Sequence, residues 1–172
     1  MAKKESFHVH ATFGGCTTEQ IRAIAKRTRS KITEIDLYQK DGEHLQRDRT
    51  VTRYGRTFDD VFNATVDFVQ EITLVRLKIE QIVRSFDKVD FPDRFCYYEA
   101  HMQVREDFEI QHPLLLLSKN PHQGKRFINA RMYTKEQLDD FLKVRDSIPT
   151  IDEQLEICYY DTAPEIDAAW VS

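Results

Sequence analysis

The chain is poor in residues that punctuate or staple a fold. Five glycines, five prolines, three cysteines, three methionines and one tryptophan are spread over 172 residues. So little glycine and proline excludes collagen-like or low-complexity stretches and confines turns to a few places. Cys16, Cys96 and Cys158 are odd in number and widely spaced, with no CxxC pair, which argues against a disulfide framework and a structural zinc site. A dominant charge is also missing. The 25 basic and 29 acidic residues are intermixed and give a net charge of −4, so nucleic acid is unsupported as a partner. No segment approaches the ~20 apolar residues of a membrane span, and the start, MAKKESFHVHATF, lacks the apolar run of a signal peptide. The expectation is a cytoplasmic protein without membrane contact, with a homo-oligomer left open.

Hydrophobic residues make up 41% of the chain, enough to build a core. The strongest strand signal is CYYEAHMQV, residues 96–104. Its alternation puts Cys96, Tyr98, Ala100, Met102 and Val104 on one side and Tyr97, Glu99, His101 and Gln103 on the other. The N-terminus has the same layout, with Phe7, Val9, Ala11 and Phe13 opposite Ser6, His8, His10 and Thr12.

Between these strands the pattern alternates regularly. Thr17 with Gln20 marks a capped helix over 18–29, followed by a strand over 32–38. A turn at 40–43 then returns a charged segment, 45–54, as an exposed edge strand. Thr57 caps a second helix with Phe58, Val61, Phe62, Thr65, Phe68, Val69 and Ile72 at helical spacing, and 74–83 is a strand separating Val75, Leu77 and Ile79 from Arg76, Lys78 and Glu80. After a connector over 85–94, strands are expected at 96–104, 114–118, 126–133 and 154–160. A helix capped by Thr134, with Gln137 as its partner, precedes Pro149. The order β-α-β-β-α-β predicts an α+β protein of two ferredoxin-like (split βαβ) halves in imperfect duplication. Residues 1–85 form the first half; residues 95–172 form the second, which lacks a full first helix. The sheets should be antiparallel with helices on one side, and the halves together fit one compact domain.

Assigning the apolar sides to the core leaves a polar face carrying His8, His10, Thr12, Arg76, Lys78, Glu80, Glu99, His101, Gln103, Asn129 and Arg131. Antiparallel sheets commonly leave one face in water, which by itself accounts for such a surface. The functional expectation is that the two faces meet and bind a small anionic, phosphate- or nucleotide-like ligand. Arg76, Lys78 and Arg131 would then supply positive charge, and Glu80 and Glu99 would hold the basic groups or orient a histidine. No cofactor and no metal site is assigned. His8, His10, His101 and Glu99 suit zinc or manganese by type, but residues two apart on a strand rarely complete a shell.

His10-Ala11-Thr12-Phe13 and His101-Met102-Gln103-Val104 resemble the paired motifs of the two-histidine phosphoesterases, which read His, any residue, Thr or Ser, then an apolar residue. That resemblance implies a phosphodiesterase-like hydrolase in which His10 and His101 act as general base and acid; Gln103 departs from the pattern. Over a longer span, Arg76-Leu-Lys-Ile-Glu80, Tyr98-Glu99-Ala100-His101, Leu117-Ser118-Lys119-Asn120, Arg126-Phe127-Ile128, Tyr160-Asp161-Thr162 and Asp167-Ala168-Ala169-Trp170 resemble the spaced signatures of an uncharacterised bacterial protein family. This second resemblance implies that Glu80, His101, Ser118, Asn120, Arg126, Asp161 and Trp170 share a neighbourhood, without implying a reaction. A third expectation treats the polar faces as a protein–protein interaction module.

Overall fold

The computed structural model describes residues 5–38, 44–86, 96–120 and 124–165, with backbone alone at 34–38, 44–48 and 119–120. The elements run β1 (Phe7–Phe13), α1 (Thr18–Thr28), β2 (Lys31–Tyr38), β3 (His44–Gly55), α2 (Phe58–Phe68), β4 (Leu74–Val83), β5 (Tyr97–Val104), β6 (Leu115–Asn120), β7 (Lys125–Met132), α3 (Lys135–Arg145) and β8 (Asp152–Asp161). Trp170 and the 167–170 signature lie outside the described residues, as does the turn at 40–43.

The helix starts follow from local chemistry. The hydroxyls of Thr17, Thr57 and Thr134 accept from the backbone N–H three residues on, satisfying a donor that the first turn leaves unpaired. At α1 and α2 the third residue, Gln20 or Asp60, reaches back to the cap's own N–H and completes a capping box. At α3 the Gln137 side chain instead accepts from Tyr133 N–H, one residue earlier than expected. Gly55 is required where β3 turns into α2, because a Cβ there would stand 2.7 Å from Asp60 Cβ.

The eight strands close into one antiparallel barrel in the order β1-β3-β2-β6-β7-β5-β8-β4, with β4 returning to β1. Strands of the N-terminal set lie in the order β4-β1-β3-β2 and those of the C-terminal set in the order β8-β5-β7-β6. The sets meet at both ends: β4 and β8 share six residue pairs, whereas β2 and β6 share two, Asp36 with Lys119 and Leu37 with Ser118. The expectation of two ferredoxin-like halves with helices on one side is therefore overturned. The edges such halves would leave open are hydrogen-bonded to each other, and the described residues form a sheet-dominated barrel with three short helices. The segment 45–54 is likewise no edge strand, since β3 is paired on both sides.

The apolar cores sit outside the barrel wall. Val9, Ala11, Val51, Leu77 and Ile79 pack with Ile21, Ile24, Val61 and Phe68 of α1 and α2. Ala100, Met102, Ile128, Ala130, Leu155 and Ile157 pack with Leu138 and Phe141 of α3. On α2 the inward residues are Val61, Ala64, Thr65 and Phe68. Phe62, Val69 and Ile72, expected on that stripe, are exposed together with Val66 and Val75: Phe62 lies on the outer side of the helix, and Val69 and Ile72 lie past its end at Phe68.

Candidate functional site

With the apolar sides directed outward to the helices, the alternate side chains face the barrel interior. Their contacts confirm the curvature. His8 on β1 reaches Glu156 on β8 across β4, and Lys78 on β4 reaches Glu99 on β5 across β8. Strands two apart in a flat sheet stand roughly 10 Å from one another, so such pairs meet only on a concave face. The solvated-face account does not hold: His8, Glu80, Glu99, Arg131 and Glu156 are each at most 3% exposed.

Four carboxylates organise this interior. Glu80 Oε2 stands 3.3 Å from both His8 Nε2 and His10 Nε2, while Oε1 stands 2.5 Å from Lys78 Nζ. Glu156 lies 3.2 Å from His8 Nε2 and 3.1 Å from His101 Nε2. Glu99 binds Lys78 and takes two donors from Arg131, at 2.8 and 2.5 Å. Asp161 receives Arg76 as a two-point pair, at 2.9 and 2.5 Å, and the Tyr97 hydroxyl at 2.5 Å.

The two histidines at matching strand positions are held alike. His10 Nδ1 is 2.7 Å from the hydroxyl of Thr52, its register partner on β3, and His101 Nδ1 is 2.7 Å from Oδ1 of Asn129, its register partner on β7. Asn129 donates in turn to Ser118 Oγ at 2.8 Å. Each Nε2 turns to a glutamate, Glu80 on β4 or Glu156 on β8. His10 and His101 are joined through Glu80, His8 and Glu156 rather than facing one another directly, and each has both ring nitrogens engaged. A base or acid drawn from this pair must first release a partner.

Comparison with protein-family models, curated proteins and solved structures returned no match. The two resemblances therefore rest on the residues that carry them, and the chemistry must be read from the site.

Burial would lower the His8 pKa, but the Glu156 and Glu80 carboxylates hold it up to about 9. Burial likewise opposes a charged His101, yet Glu156 and Glu99 raise its pKa well above the usual value. His10 moves the other way, lowered by burial and by the His8 charge beside it. Glu99 is depressed to about 2 because Lys78 and Arg131 outweigh its burial, and Glu80 and Glu156 lie well below the ordinary range for the same kind of reason. Burial and the Glu99 charge keep the Tyr97 hydroxyl protonated.

Most of the expected residues enter this network. Thr12 and Gln103 lie further along their strands: Thr12 bonds Thr50, and Gln103 pairs in register with Phe127 and Asp152. From the longer signature, Ser118 and Asp161 join the interior, whereas Arg126 binds the backbone of Glu106. Sequence reading missed Glu156, Tyr97 and Thr52 as site residues. Glu156 carried a usable signal, since it alternates with the buried Leu155 and Ile157 on the last strand.

Proposed function

We propose that the barrel interior binds a small anionic ligand of phosphate type. The observation that supports this reading is the gathering of three fixed cations about one ring. Arg131 Cζ lies 4.2 Å and Lys78 Nζ 5.4 Å from the centroid of Tyr97, and Arg76 Nη2 is 3.3 Å from its hydroxyl. In a chain of net charge −4 this concentration is local. Guanidinium groups offer paired donors that match phosphate oxygens, and a lysine adds a compact charge. Glu99, Asp161 and Glu80 hold these donors in place before a ligand arrives, which lowers the ordering cost of binding. The free thiols of Cys16, Cys96 and Cys158 support a reducing, cytosolic setting for such a protein. Among the described residues no helix is long and apolar enough to cross a membrane.

The test is a thermal melt in EDTA with inorganic phosphate, pyrophosphate and a nucleoside triphosphate. A ligand at about 100 times its Kd adds about 2.7 kcal/mol. For a chain of this size that is a rise in Tm of roughly 5–11 °C. Arg131→Gln should lose the rise measured against its own baseline. An unchanged Tm across the panel refutes the reading.

A further inference from the structure

The interior holds a second chemistry that the cationic cluster does not use. One ring nitrogen each of His8 and His10 and a carboxylate oxygen of Glu80 all lie within 4.8 Å of one another. The third member comes from β4, the hydrogen-bonded neighbour of β1, so two histidines spaced by one residue are completed by an adjacent strand. Both imidazoles address the same oxygen, each at 3.3 Å, with their rings at 77° to one another. A charge-assisted N–H···O bond is about 2.7–2.9 Å long. Ligand atoms arranged tetrahedrally at the ~2.0–2.1 Å of zinc–nitrogen and zinc–oxygen bonds stand roughly 3.3–3.4 Å apart. The observed separations match the edge of a coordination shell better than a pair of hydrogen bonds.

Two further observations agree. Thr52 holds His10 Nδ1 at 2.7 Å, the outer-shell contact that fixes a ligating imidazole and leaves Nε2 for the ion. The other oxygen of Glu80 is taken by Lys78 Nζ at 2.5 Å, which orients the carboxylate and leaves Oε2 to the histidines.

A comparable triad, Glu99, His101 and Glu156, occupies the matching strands. There Lys78 already binds Glu99 Oε2, the same oxygen that faces His101 at 3.6 Å. The cation that leaves the first triad open therefore blocks the second.

We infer that His8, His10 and Glu80 bind a single divalent transition-metal ion inside the barrel. Two imidazoles and one carboxylate suit Zn2+, Mn2+, Fe2+ or Co2+ and leave a coordination position for water or a ligand oxygen. The site adjoins the arginine and lysine cluster through the Lys78–Glu80 ion pair, but none of its three ligands is a cation of that cluster, and its test does not require anion binding.

The test is calorimetric titration of EDTA-treated, desalted full-length protein with Zn2+ in phosphate-free buffer. Co2+ absorption then reports nitrogen and oxygen ligation. One saturable equivalent is expected, lost in His10→Gln, retained in His101→Gln and weakened 10–100-fold in Thr52→Val. Circular dichroism and Tm of each metal-free variant confirm that it is folded; should His10→Gln fail to fold, the milder Thr52→Val decides. Absence of saturable Zn2+ binding overturns the inference, as does full affinity in His10→Gln, or loss in His101→Gln with His10→Gln unaffected.

Discussion

Replacing Glu99 with leucine should be among the most damaging single changes to the interior, and undoing its surroundings should repair it. Glu99 is 2% exposed and faces two cations, Lys78 and Arg131. Removing one partner of a buried ion pair leaves uncompensated charge and costs about 3–5 kcal/mol. In a chain of this size each kcal/mol moves Tm by about 2–4 °C, so Glu99→Leu should fall by roughly 6–20 °C. The triple variant Lys78→Met, Glu99→Leu, Arg131→Met removes the whole group. Glu80 keeps His8 and His10 as partners, so no carboxylate is orphaned. Apolar replacement of an entire buried charge group is often neutral or stabilising by about 1–4 kcal/mol, so the triple variant should recover most or all of the loss. Urea unfolding followed by circular dichroism gives both differences, with an unchanged m-value as the check that only stability has moved. A single variant costing less than about 1 kcal/mol would refute the reading of Glu99 as the partner of buried charges, and a triple variant no more stable than the single one would refute the expected repair.

Stability should also depend on pH through His8. Its folded pKa, held up to about 9 by Glu156 and Glu80 against the effect of burial, lies above the ordinary imidazole value of 6.5. Its contribution is therefore fully present below about pH 6.5 and lost as pH rises through 9, on the order of 3 kcal/mol in all. Urea midpoints measured in EDTA should fall over that window in the wild type and flatten in His8→Gln; parallel slopes would contradict the assignment. Phe141, fully buried on the inner face of α3, should cost about 3–5 kcal/mol as alanine by urea titration. Thr134→Ala should cost about 1 kcal/mol through the lost cap on Gln137 N–H, with an intact fold by circular dichroism.

Strand identity was legible because inward and outward residues alternate so regularly. His8, His10, Arg76, Lys78, Glu80, Glu99, His101, Asn129 and Arg131 could be placed on one side from the 2-residue period of strands alone. Barrel closure could not be read that way. Nothing local distinguishes a strand edge that ends in water from one that meets a distant strand, and the charges of 45–54 looked like edge protection although β3 lies between β1 and β2. Asp161 shows a second limit. By simple alternation it falls on the side opposite Glu156 and Cys158, but a register shift between Ile79 and Glu80 in the β4–β8 pairing turns it inward to Arg76. The α2 stripe was over-extended because helical spacing alone does not show where a helix stops.

The pairing of His8 with Glu156 has a consequence for how the protein is made. These residues lie on the first and the last of the described strands, so β8 leaves the ribosome after every other described strand. At ordinary translation speeds β1 precedes it by on the order of ten seconds. Throughout that interval β4 and β5 lack the strand that lies between them, and the arrival of β8 joins the two strand sets along that seam.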